Sequence, residues 1–139
     1  MSKALLKEKW IKWEPLNGLS CNYYIESITD NLNGFEIIMI EEQDSNTKLK
    51  IKFEASVDAF RDTDESFRSK LLLYLNTNYS DISKWCFFKV ENSEYINWLS
   101  EQSLGIIDSL KCTHFVFITY NSVLDVATTY EPKFEFIKY

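Results

Sequence analysis

The chain has 139 residues, a formal charge of -6 and a pI near 4.8. Such a surface repels phosphate backbones and anionic lipids, which argues against nucleic-acid and membrane partners and favours a basic one. At this length a single domain buries roughly 68% of its unfolded surface, so a core can form without disulfide or metal.

The order of the elements can be read from periodicity and turn chemistry. Leu6, Trp10 and Trp13 have a spacing that suits either one helical face or an extended lead-in over a sheet; Pro15 and Gly18 end the segment. Cys21 to Ile28 and Phe35 to Glu41 are predicted strands, joined by a hairpin at Asn33-Gly34, where both residues tolerate positive φ. A polar loop, Gln43 to Thr47, leads to a third strand, Lys48 to Glu54. There Leu49, Ile51 and Phe53 alternate with lysines, so one face is buried and one is wet.

A helix is predicted from Asp62, because Asp62-x-x-Glu65 suits a capping box and Phe67, Leu71, Leu72 and Leu75 follow at helical spacing. Trp85 to Val90 reads as a strand. Asn92-Ser93 then caps a short helix, Glu94 to Gln102, with Tyr95, Ile96, Trp98 and Leu99 turned inward. Thr113 to Thr119 is apolar on both faces and is expected at the centre of a sheet. Val123 to Thr128 and Lys133 to Ile137 complete the chain, after turns at Asn121-Ser122 and Glu131-Pro132. The expectation is one α+β domain over residues 1–139: a largely antiparallel sheet of six or seven strands with two helices packed on it.

Several chemistries are ruled out by composition. Glycine occurs only at 18, 34 and 105, which leaves no Gly-rich phosphate loop, dinucleotide fingerprint or nucleophile elbow. Cys21, Cys86 and Cys112 are odd in number and widely spaced, as expected of free thiols in a cytoplasmic protein. Ala4-Leu5-Leu6 is shorter than a signal h-region of roughly 7–15 residues. The apolar runs are too short to span a bilayer. His114 shares a strand face with Cys112, so a metal ligand, a Cys–His dyad and a satisfied structural histidine are the readings; without a second ligand pair the last is preferred, and no metal or cofactor is expected.

The densest charged constellation is Asp58, Asp62, Asp64 and Glu65 with Arg61 and Arg68 interleaved. It reads as a capped helix start, as a cation site, or as a patch that grips a basic partner. Asp125 interrupts the apolar run Val123 to Ala127, so it must be exposed or hydrogen-bonded. Exposed Trp or Tyr among the 22 aromatic residues would be hot-spot material for an interface.

Three stretches together carry a resemblance: Phe60 to Glu65, Phe88 to Tyr95, and His114 to Thr119 running on to Asp125-Val126. They resemble small acidic proteins of Bacillus-like bacteria that look like immunity proteins of polymorphic toxin systems. The resemblance implies a protein that blocks a cognate toxin domain, and it supplies no catalytic residues. Arg61, Asp64, Glu65, Glu91 and Glu94 are the expected contacts with a basic partner. A carboxylate-based enzyme and a homo-oligomeric accessory protein are the alternatives.

Overall fold

The computed structural model describes residues 8–138. In chain order the elements are β1 (Lys9–Lys12), β2 (Tyr23–Asn31), β3 (Gly34–Glu41), β4 (Asp44–Phe53) and β5 (Ala59–Asp64). A 3-10 turn (Glu65–Arg68) leads to α1 (Ser69–Asn78), β6 (Phe87–Glu91) and α2 (Glu94–Gln102). A second 3-10 turn (Ile106–Leu110) precedes β7 (Thr113–Ile118), β8 (Ser122–Thr128) and β9 (Lys133–Lys138).

The α+β class holds, with the strands divided between two antiparallel sheets. One has the order β1-β6-β7-β8-β5 and the other β2-β3-β4-β9. The sheets pack face to face, and the core between them is apolar. Phe35, Ile37 and Met39 of β3 and Leu49, Ile51 and Phe53 of β4 meet Phe87, Phe115, Phe117, Leu124 and Val126 from the other side. A fully buried side chain of this size contributes about 1.5–3 kcal/mol. Because neighbouring residues of a strand point to opposite faces, Phe88, Val90, Val116 and Val123 form a second cluster on the outer face of the five-stranded sheet. Leu71 and Leu75, one helical turn apart on α1, cover that cluster.

β7 is the central strand of its sheet, as its two apolar faces predict. The alternation of Leu49, Ile51 and Phe53 also holds, and all three are fully buried. Ser93 caps α2 by accepting the Ile96 N–H at 3.0 Å. The polar stretch before Lys48 belongs to β4, which begins at Asp44.

One open choice is decided and two expectations change. The segment 8–13 is extended: β1 pairs with β6, so Trp10 and Trp13, three apart, bury on opposite faces of the sheet. Leu6 lies outside the described residues. In the first hairpin the loop residues are Leu32 and Asn33, and Gly34 already belongs to β3. Its φ of +122° and the Phe53 carbonyl oxygen, with which a Cβ would collide, make glycine necessary for close strand approach. Third, residues 59–64 form a strand, not a helix start. Paired to β8, β5 turns Phe60 onto Phe35 and Arg61 to the opposite face. Asp64, in place of Asp62, caps the following turn by accepting the Ser66 N–H at 2.9 Å, while Asp62 accepts from the Ser122 hydroxyl.

Candidate binding cleft

The outer face of the five-stranded sheet is only partly covered. α1 stands over Val116 and Val123, and between it and α2 a cleft of ≈ 920 Å³ opens. Trp10, Ala59, Arg61 and His114 line it from the strands. Phe67, Arg68 and Leu71 line it from the turn and α1, and Tyr95, Trp98 and Leu99 from α2. Exposed Asp30, Asp58, Lys70 and Glu94 also border it. Trp98, expected inward, is 51% exposed, and Phe67 is 80% exposed. Both belong to this cleft.

Beneath it lies a buried polar network centred on Asp125, which is 0% exposed. Asp125 Oδ2 accepts from Arg61 Nε and from an Arg68 Nη, each at 2.8 Å. Oδ1 is 2.7 Å from His114 Nε2, and His114 Nδ1 is 2.8 Å from Ser93 Oγ. Strand register explains the meeting. Arg61, Asp125 and Val116 stand side by side across β5, β8 and β7, and His114 is two residues from Val116 on the same face. Arg68 reaches in from the end of the 3-10 turn. Burial alone would raise the Asp125 pKa, but the hydrogen bond and charge of His114, then Arg61 and Arg68, outweigh it and hold the carboxyl well below its usual range. The guanidinium of Arg61 also lies 4.3 Å over the Tyr95 ring.

Ser, His and Asp are the residue types of a hydrolytic triad, but the geometry here is structural. The Ser93 hydroxyl is buried, spans His114 and the Ile96 N–H, and does not line the cleft. A nucleophile needs its oxygen presented to substrate. Both ring nitrogens of His114 are engaged, Nδ1 with the Ser93 hydroxyl and Nε2 with Asp125. The network therefore ties α2, β7 and β8 to the turn before α1.

A second buried carboxylate, Glu8, joins the edge of the sheet to α2. Its Oε1 accepts the Trp10 indole N–H at 3.2 Å, and Oε2 accepts the Glu94 backbone N–H at 2.8 Å, at the positive end of the helix. Desolvation raises its pKa above the ordinary glutamate value, against the lowering effect of these bonds and of His114.

The five residues expected at a partner surface lie on β5, the first 3-10 turn, β6 and α2. Arg61 and Glu94 share the cleft. Asp64 caps the 3-10 turn, and Glu65 opens that turn half-buried. Glu91 is exposed at the end of β6, opposite Lys9. The charged constellation 58–68 is likewise divided. Asp58 accepts from the Cys112 thiol at 3.2 Å, whereas the His114 ring nitrogens are engaged by Ser93 and Asp125. Among the described residues, no group of three or more His, Cys, Asp or Glu is placed to hold a metal ion. No helix among them is long and apolar enough to cross a membrane.

Arg68, Phe67 and Ser93 were not singled out as a site by sequence reasoning. The signal for the first was Asp125 itself: a carboxylate in an apolar run requires donors, and the chain has only two arginines, 61 and 68. No protein-family model, curated protein or solved structure is significantly similar to this chain.

Proposed function

We propose that this chain is a protein-binding module whose receptor is the cleft. On the resemblance stated above, the partner is a toxin domain and the chain is its immunity protein. One observation carries the reading: Phe67 and Trp98 present large exposed rings to a cleft whose buried titratable groups are already bonded to one another. Exposed aromatics beside a concave surface are the usual anchors of an interface, whereas catalysis needs a reactive group left free. The charge of -6 supports the choice of a basic partner, since it speeds encounter at low salt.

The reading is tested by establishing whether a toxin domain is encoded beside this chain and titrating it against the purified protein. Trp98→Ala is expected to weaken the complex by about 2 kcal/mol, or about thirtyfold, and Phe67→Ala by somewhat less. Both side chains are exposed, so the fold should be unaffected, which circular dichroism checks. A domain that does not bind, or that binds both variants as tightly as the parent, defeats the proposal.

A further inference from the structure

The arginine pair under the cleft has more donors than the protein fills. Arg61 and Arg68 share one carboxylate oxygen, so two guanidiniums face a single negative charge. Each guanidinium carries five N–H groups in a fixed fork. Among the described residues one hydrogen bond from each is accepted, both by Asp125. Both side chains line the cleft, that of Arg68 17% exposed and that of Arg61 47%, so guanidinium N–H groups that the protein leaves unfilled are within reach of a ligand seated there.

The neighbouring acids do not close this imbalance. Glu8 is occupied by Trp10 and the start of α2, and Asp58 by Cys112. No ion pair joins Asp30, Asp58 or Glu94 to either arginine among the described residues. Tyr95, which carries the Arg61 guanidinium over its ring, and Trp98 stack nearly parallel, with 10° between their planes, and both line the cleft.

We infer that the floor of the cleft is an oxyanion site, and that the group it takes from a protein partner is a carboxylate: an Asp or Glu side chain, or a chain terminus. Its two oxygens meet the free N–H groups of Arg61 and Arg68, and its apolar stem lies along Tyr95 and Trp98. The exposed acids at the border, Asp30, Asp58 and Glu94, favour basic residues flanking that carboxylate. The site is thus compatible with a partner that is basic overall. The inference deepens the function proposed above and rests on it for the partner.

The test uses the full chain with three probes: hydrocinnamate, its neutral amide and inorganic phosphate. Nitrogen-proton spectra follow the arginine side-chain signals and the assigned indole N–H signal of Trp98. Hydrocinnamate is expected to shift the Arg61 and Arg68 signals and perturb the indole, with the amide at least about tenfold weaker. Arg68→Lys, which keeps a cation beside Asp125 but loses the fork, should weaken hydrocinnamate similarly. The parent spectra need no variant, so an unstable substitution does not blunt the test. Displacement by phosphate supports the site and extends it to tetrahedral oxyanions; hydrocinnamate binding that phosphate leaves untouched supports it as selective for carboxylates. Equal binding of acid and amide overturns the oxyanion assignment. So does silence of the arginine signals at about 10 mM hydrocinnamate. If the toxin domain still binds in either of those cases, the proposed function survives the loss of this inference.

Discussion

The two faces of the five-stranded sheet are built from the same strands by opposite means. Toward the four-stranded sheet, Phe87, Phe115, Phe117, Leu124 and Val126 form a dry surface in which each contact is weak, numerous and non-directional. Toward the helices, Phe88, Val90, Val116 and Val123 are equally apolar, but beside them stand Asp125, His114 and the two arginines, where a few directional bonds hold buried charge. A dry face relaxes around a defect, and a charged one cannot. Removing a single partner there leaves the others desolvated and unpaired, which costs more than the pair itself contributes.

The comparison breaks if small changes on the charged face prove harmless. Asp125→Asn changes almost no volume yet removes the carboxylate that, among the described residues, pairs with both Arg61 and Arg68, so a loss of about 3–5 kcal/mol in urea unfolding is expected. Phe117→Leu, on the dry face, is expected to cost about 1–1.5 kcal/mol in the same measurement. A larger loss for Phe117→Leu than for Asp125→Asn would overturn the contrast.

A second effect separates the two buried carboxylates by pH. The folded pKa of Asp125 is depressed, so its contribution is fully present above the unfolded value, about 3.9, and is lost as pH falls through the folded pKa. Glu8 has the opposite sign. Its folded pKa is raised, the native state binds the extra proton, and stability falls as pH rises from about 4.3 through the folded value. Acidification should therefore bring a shallow gain before a steep loss. Glu8→Gln should remove the gain, and Asp125→Asn should flatten the loss, as read from denaturation midpoints against pH.

The smallest expected effect sharpens the picture of the dry core. Cys86 lies within it, next to Cys21 at its margin, and burial pushes the Cys86 thiol far up. Cys21 is lowered, first by the neighbouring Cys86 and also by the charge of Lys12, although desolvation opposes them. Cys112 is pushed up to about 12 by burial and by Asp58. Mass spectrometry after brief alkylation should find Cys21 modified first and Cys86 last; early labelling of Cys86 would mean that the two sheets open more easily than their packing implies.

Much of this was legible without coordinates, and the exceptions have specific causes. The period of two in β4, the doubly apolar β7 and the Ser93 cap are local patterns, and each appears where its residues predict. The helix start at Asp62 failed because Asp62-x-x-Glu65 satisfies a capping box as well as a strand end. Pairing of residues 59–64 with β8 decided between them. Trp98 was assigned inward on helical spacing, but α2 has only one buried residue, Tyr95, and the cleft lies where a second layer of packing would otherwise be.

By itself the sequence determined the α+β class, most strand positions, the cap of α2 and the requirement that Asp125 find donors. Only the tertiary structure decided which donors those are, because Arg61 and Arg68 approach from 64 and 57 residues away through register and the path of the 3-10 turn. The same holds for the cleft. Periodicity acts over a few residues and is written in residue types, whereas convergence of distant side chains depends on how two sheets and two helices share their apolar surface, which no local pattern encodes.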